Sequence, residues 1–443
     1  MAGNGKTALR GGFALVYDLA NMGTALVQTV SGTPPFSAFD EVQNTSFSVP
    51  FNIPDVAFGK TLRIVDYHLQ QPHMLQYNLT VERQIPFNIA ITLAYVGSRG
   101  INLLQTTDGN PTIPLGIPQN GTCTAIPTGQ TPNLTSEVDG SATACWLGTE
   151  SRINKNWGST ELKTAGGNSF YNSFQFGAIK KMSNGLQFQS SFTWAKVIAD
   201  ATDLASVDTG GASYQAGQNP IDPITDRGPA DFDVPLNWRF NTIYQLPQFL
   251  SADSVTGKIL NGWQVGGILS MQSGQPFTPG LSSNRSRSQT LGGPSGLERP
   301  DLAPGRNIDN ISHGISVSNG VDPCPTAGQP LGTPNLWFDP CAFTIPQVGT
   351  LGNVGRNSLR LPGLADVDFS TMKSARLGLL GEAGRVEFRA EIFNIFNRVN
   401  LGVPNRNVYA AKANVETPIA NVGQFIATAN DAREVQLALK LIF

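Results

Sequence analysis

Charge is scarce in this chain. Only 14% of its 443 residues are charged and the formal net charge is −2. No basic block appears, which excludes the electrostatic footprint of a nucleic-acid binder. Long hydrophobic runs are missing too. No stretch reaches eighteen apolar residues, so the sequence holds no transmembrane helix. Histidine is nearly absent: His68, His73 and His313 are the three, and no carboxylate or cysteine pattern completes a metal site around them. They read as ordinary loop histidines. No G-x-S-x-G elbow is present. The run GNGKT at 3–7 matches the end of a phosphate-binding loop, but the Gly required five positions before Gly5 would precede Met1. It reads as a turn entering a strand. The opening MAGNGKTALRGG has no apolar core, so it does not read as a secretory signal peptide. The expectation is no catalytic, cofactor-binding or metal-binding residue, no cofactor and no enzyme.

Cysteine is sparse, with four residues. Cys123 and Cys145 are close in sequence, as are Cys324 and Cys341, and both pairs lie in Gly/Pro/Asn-rich stretches. Neither pair has C-x-x-C spacing. Two local disulfides in an oxidising compartment is the preferred reading; four unrelated thiols is the alternative.

What is abundant is turn chemistry, with 47 Gly and 30 Pro. The length suits two or three ordinary domains or one large all-β unit. Alternation with period two marks ten segments, at about 7–18, 74–83, 88–98, 170–181, 186–198, 235–247, 261–274, 365–376, 384–396 and 433–443. Each has roughly the nine to eleven residues that a tilted strand needs to cross a bilayer. Their faces are consistent. Leu236, Trp238, Phe240, Tyr244 and Leu246 oppose Asn237, Arg239, Asn241 and Gln245. In the last segment, Val435, Leu437, Leu439, Leu441 and Phe443 oppose Glu434, Gln436, Ala438 and Lys440.

The connections alternate between long and short. The short ones are 84–87, 182–185, 248–260 and 377–383; the long ones are 19–73, 99–169, 199–234, 275–364 and 397–432. A transmembrane β-barrel puts short turns in the periplasm and long loops outside, whereas a sandwich has no reason to place every long loop at one end. In hydrocarbon every backbone N–H and C=O needs an internal partner, so strands span only as a closed sheet. Apolar faces then meet lipid and polar faces line a wet lumen. The first strand runs upward from a periplasmic Met1 and the last runs downward to Phe443. The lysines on apolar faces, Lys180, Lys196 and Lys373, sit toward strand ends, where they can snorkel. Trp194, Tyr95 and Phe443 fit aromatic girdles. Ten strands could in principle close a small barrel of their own.

Several polar groups invite two readings. Glu387, Arg389 and Glu391 project together into the lumen, with Arg239 and Arg10 as further lumen candidates. They could steer a substrate or contact a plug, or they could pair with Asp366, Asp368, Glu434 and Lys440 across strands; the structural reading is preferred. Asp222, Asp226, Asp231 and Asp233 cluster in DPITDRGPADFD. Such carboxylates could hold Ca²⁺, but the spacing matches no calcium loop, and a solvated loop with turn-forming Asp is preferred. The sequon at Asn120 carries little meaning in a bacterial barrel.

The terminal strand REVQLALKLIF resembles the signal by which bacterial outer-membrane barrels are recognised for assembly, with Phe443 as its last residue. Together with RVEFRAEIFNIFNRVN (385–400) it resembles the last two strands of TonB-dependent receptors. YNSFQFGAIKKMSNGLQFQSSFTWAKVIAD (171–200), DRGPADFDVPLNWRFNTIYQLP (226–247) and GWQVGGILSMQSGQPFT (262–278) resemble the large-loop branch of that family, whose members usually carry a carboxypeptidase-regulatory-like domain in front. The resemblance implies the last part of a 22-stranded barrel, with residues 1–443 as a partial wall. It implies a cell outer-membrane location and partners in membrane lipid, the barrel-assembly machinery, an unknown extracellular ligand, a plug and, through the plug, TonB. Signal peptide, TonB box and plug are expected in such receptors and are not found in these residues.

Three functions therefore stand. The first is the wall and ligand-binding loops of a TonB-dependent receptor that imports an extracellular substrate. The second is a non-transporting adhesin or structural surface protein on the same barrel. The third is a soluble secreted all-β binding protein, which would need two packed sheets to bury its apolar faces.

Overall fold

Alternating side chains specify strands where the backbone finds a neighbouring partner, and here ten long segments pair in sequence order. In the computed structural model they are β1 (Thr7–Tyr17), β2 (His73–Ile85), β3 (Ile89–Asp108), β4 (Thr160–Ser183), β5 (Leu186–Ala199), β6 (Leu236–Gln245), β7 (Trp263–Gln272), β8 (Leu364–Arg376), β9 (Arg385–Phe393) and β10 (Glu434–Ile442). Each pairs antiparallel with the next, giving one up-and-down sheet. The structure describes residues 5–18, 62–126, 144–200, 217–219, 221–251, 254–290, 298–318, 320, 324–376 and 384–443. The expected short turn at 377–383 lies outside them, as does most of the long loop 19–73.

The short ends are built from turn chemistry. Between β4 and β5, Asn184 and Gly185 take φ of 51° and 75°, the left-handed pair that a two-residue hairpin with matching twist requires. Between β2 and β3, Phe87 and Asn88 do the same at 67° and 60°. Two of the lysines on apolar faces reach these ends. Lys180 Nζ donates to Phe87 O at 2.8 Å and to Ser183 Oγ at 2.5 Å. Lys373 Nζ donates to Ile259 O at 2.9 Å and to Asn261 O at 2.5 Å, beside the short helix Val255–Leu260.

One feature departs from the sequence reading. β3 and β4 run 20 and 24 residues, far past the expected 88–98 and 170–181. Their pairing slips at Gly100–Leu104, where Asn102 has φ of 54°. A bulge shifts the side-chain register, so the alternation breaks although the ladder continues. The extension also buries Asp108, Glu161 and Lys163, and charges of that kind disguise a strand as a loop. The parallel strand Leu62–Val65 adds to its outer side. As a partial wall requires, the small barrel that ten strands could in principle close is not formed. Among the described residues β1 and β10 each pair on one side only, and the sheet stays open.

The wall is a single layer. Leu437, Leu439 and Trp194 are 68%, 69% and 62% exposed, as a lipid-facing surface must be when no lipid is present. The buried apolar core lies in the long loops instead. Phe277, Leu281, Ile311, Phe338, Phe343 and Tyr409 are at its centre, contributed by 275–364 and 397–432. The Tyr409 hydroxyl donates to Phe343 O at 2.8 Å, which satisfies the one polar group the ring buries. The long loops are therefore a folded cap at one end of the wall.

An open sheet leaves two rows of unpaired backbone groups, an invitation to association. The isolated chain in detergent is expected to give no compact, heat-modifiable monomer band on an unheated gel. A compact band that shifts on boiling would contradict the open wall.

Candidate functional site

Strand parity places the lumen candidates on the polar face, and the structure shows what each touches. Arg10 pairs with Glu82 on β2 at 2.8 Å. Arg239 Nη2 donates to Gln272 Oε1 on β7 at 2.7 Å. On β9, Arg385 pairs with Glu387 at 3.3 Å and Arg389 with Glu391 at 3.8 Å. These last pairs run along the strand, and among the described residues none joins Glu387, Arg389 or Glu391 to Asp366, Asp368, Glu434 or Lys440. Asp368 instead accepts the Asn394 backbone N–H at 2.9 Å. Arg389 and Arg385 are each 52% exposed, so water screens the pairs and they contribute little to stability. They form a mixed-charge patch on the polar face of the wall.

The acidic loop is different. The solvated-turn reading of DPITDRGPADFD is corrected by the structure at Asp226 and Asp233, which turn inward to separate cations and amides, while Asp231 stays half-exposed. Asp226 pairs with Arg299 at 2.9 Å and accepts the Gln218 N–H at 2.8 Å. Asp231 accepts Asn357 Nδ2 at 2.5 Å. Asp233, fully buried, accepts the Val197 N–H at 2.7 Å and pairs with Arg360. Arg356 donates to Asp226 O and Ala199 O, both at 2.8 Å. The approach is close: a Cβ on Gly228 would lie 2.5 Å from Arg356 O, so only glycine fits. These contacts clamp the end of the 275–364 loop onto the top of β5 and the entry to β6. Among the described residues no group of three or more His, Cys, Asp or Glu converges on a point that could hold a metal.

Arg299, Arg356, Asn357 and Arg360 were missed in the sequence. The available signal was a loop run of four Asp with the single cation Arg227, against the unclaimed run RNSLR at 356–360. The histidines stay apart. His73 Nδ1 contacts Gln71 O at 3.1 Å and its ring lies 5.8 Å from that of Tyr17. His68 packs edge-on to Tyr67.

The cap is further locked by two disulfides, Cys123–Cys145 and Cys324–Cys341, with Cα–Cα distances of 5.9 and 5.6 Å. Loop 99–169 is stitched to loop 275–364 by Thr112 Oγ1 donating to Ser288 O at 2.6 Å, Trp146 N–H to Gly349 O at 2.8 Å and Arg152 to Gln289 O at 2.7 Å. At the centre, Glu298 accepts from Arg285 N at 2.6 Å and from Ser286 N at 3.0 Å. Burial pushes its carboxyl up from the ordinary 4.5, against those hydrogen bonds. Burial raises Asp301 in the same way.

A family profile described as "Outer membrane beta barrel domain" matches residues 1–436. The chain belongs to that family. The barrel reading of the sequence is thereby borne out, and this outer-membrane barrel wall meets lipid on its apolar face. Among curated proteins none matches. Similar solved structures include the outer membrane transporter YddB from Escherichia coli, at 10% identity over 87% of this chain and 34% of that one, TM-score 0.39. The ferric-catecholate import receptor Fiu from E. coli K12 aligns at 8% identity over 99% and 33%, TM-score 0.36. The siderophore receptor PirA from Acinetobacter baumannii aligns at 9% identity over 99% and 39%, TM-score 0.38. The chain spans 34%, 33% and 39% of the length of these three. At these scores the assignment rests on the family profile.

Two predictions follow from the cap. Asp233→Ala leaves Arg360 without its carboxylate. It should destabilise the cap by about 2–3 kcal/mol, just under the range for a fully buried pair because Arg360 keeps some water. Hydrogen exchange across 354–360 and 226–233 would report it, and unchanged protection would refute the clamp. Glu298 and Asp301 hold protons more tightly folded than unfolded. Between about pH 4 and their raised values the folded state binds more protons, so their contribution to stability falls as pH rises. Exchange protection of the wild type relative to a Glu298→Gln/Asp301→Asn variant should therefore decline from about pH 4 to pH 7.

Proposed function

We propose that this chain is part of the wall and the ligand-binding cap of a TonB-dependent receptor that imports an extracellular substrate. The observation that supports this most is the joint arrangement of cap and wall. A loop body with its own apolar core, two disulfides and a buried ion-pair clamp stands over one end of an open wall whose polar face carries mixed charge. Preorganised loops hold a recognition surface at low entropic cost, and a polar lining offers a passing solute water-like contacts. The open edges of β1 and β10 fit a wall that further strands complete, as in a 22-stranded barrel.

In this reading a plug fills the lumen and couples to TonB, the barrel-assembly machinery recognises the strand ending in Phe443, and the chain does no bond-making chemistry. The ligand binds the cap and passes along the face bearing Arg10, Arg239, Glu387, Arg389 and Glu391.

A non-transporting adhesin on the same barrel is the second reading, supported by the size and internal core of the cap. The soluble all-β reading lacks support, because among the described residues no second sheet packs against the apolar strand faces.

The test is uptake by cells of the native host, with and without the gene, using labelled ferric siderophores, cobalamin, oligosaccharides and peptides. Import predicts that one class loses uptake on deletion and on collapse of the proton-motive force. Uptake unchanged for all classes, with loss of cell-surface binding, would sink import and favour the adhesin.

A further inference from the structure

The apolar outer face carries a cationic cluster that neither the wall nor the cap requires. Strand register sets out its rungs. Arg99 of β3 lies opposite Phe170 of β4, and Phe170 opposite Ile198 of β5. The next rung toward the periplasm is Gly97, Asn172 and Lys196; the one below that is Tyr95, Phe174 and Trp194. Rungs two residues apart are separated by about 7 Å along the strand. Tyr95, Phe174 and Trp194 are 48%, 43% and 62% exposed and form an apolar belt. The Tyr77 and Tyr95 hydroxyls donate to Asn172 Oδ1 at 3.0 and 2.7 Å, so the belt turns polar at that rung. This is the level where a bilayer's hydrocarbon gives way to headgroups.

Directly above, the Arg99 guanidinium lies 5.0 Å from the centre of the Phe170 ring, and Arg227, from the loop entering β6, lies 5.1 Å from the same centre. Lys196 is the diagonal neighbour of Phe170 on this face. Arg99, Lys196 and Arg227 are exposed, and no ion pair joins any of them to a carboxylate among the described residues. The carboxylate one rung higher, Asp200, is engaged by the Asn168 backbone N–H and by its side-chain amide. A single snorkelling cation at a strand end needs no ligand. Two guanidinium groups on one ring with a lysine on the neighbouring rung repel one another, and stacking on the ring leaves the guanidinium N–H edges free to donate. An anion between them turns the repulsion into attraction.

We propose that this face of β3, β4 and β5 binds the phosphorylated headgroup of an outer-leaflet lipid. Arg99, Lys196 and Arg227 hold the phosphate, and the belt of Tyr95, Phe174 and Trp194 packs its acyl chains. The apolar belt immediately below the cations selects a lipid over a soluble anion. The inference rests on the outer-membrane wall and stands whether or not the barrel imports anything.

The test uses the protein extracted from outer membranes and placed in phosphatidylcholine nanodiscs. It is titrated with lipid A and with lipid A stripped of its phosphates, and bound lipid is counted by native mass spectrometry. Lipid A should bind at least about tenfold tighter than its dephosphorylated form, the ratio expected of even one charge-assisted contact. The Arg99→Gln/Lys196→Gln/Arg227→Gln variant should lose that preference. If the triple variant fails to assemble, each single substitution should reduce it. Equal affinity for the two lipids in the wild type would overturn the proposal, as would a preference retained in the variants. Displacement of lipid A by a soluble polyaspartate peptide would also overturn it, by making the surface a protein-docking patch.

Discussion

The strands of this chain answer to one constraint: in hydrocarbon a backbone N–H or C=O finds no partner except another backbone group. That requirement produces ten long neighbouring strands, each hydrogen-bonded to the next. It allows a single layer, because lipid replaces the second sheet that water-soluble strands would need. It also explains why the apolar strand faces are exposed while the buried apolar residues lie elsewhere. The constraint ends at the bilayer surface, and there the chain changes character.

Above that surface ordinary folding rules return. The cap has a core of aromatic and aliphatic side chains, with Tyr409 satisfied by Phe343 O. Irregular backbone has few ladder bonds, so side chains supply the fixings: Asp226 with Arg299, Asp233 with Arg360, and Arg356 bridging carbonyls of separate segments. The disulfides limit the unfolded freedom of both loops. The cap is thus tied to the rims of β5 and β6, which fixes the loop body at that end of the wall.

How much of this was legible depends on what kind of signal each part leaves. Membrane strands leave period-two alternation, and 433–443 was readable as Glu434–Ile442 for that reason. Parity also assigned Arg239 and Glu387 to a face. It did not give their partners, because along-strand and cross-strand pairing look alike in sequence. The tall ends of β3 and β4 were hidden by the slip at Gly100–Leu104 and by buried charges. The cap core left no period at all, since Phe277, Phe338 and Tyr409 come from turns and short bridges. The clamp was hidden by distance: Arg360 and Asp233 are 127 residues apart, and no local pattern links them.

The most direct test of the account is the environment of alternate residues along β6, a strand paired on both sides. Spin labels would be placed one at a time at Leu236, Phe240 and Tyr244, and at Asn237, Asn241 and Gln245, in the protein as assembled in outer membranes. Collision with oxygen, which concentrates in lipid, and with a water-soluble nickel chelate would be measured at each site. A lipid-facing wall predicts that the first set favours oxygen and the second favours the chelate, alternating residue by residue. Uniform access to the chelate at all six sites would contradict it, and the strands would then belong to a protein in water.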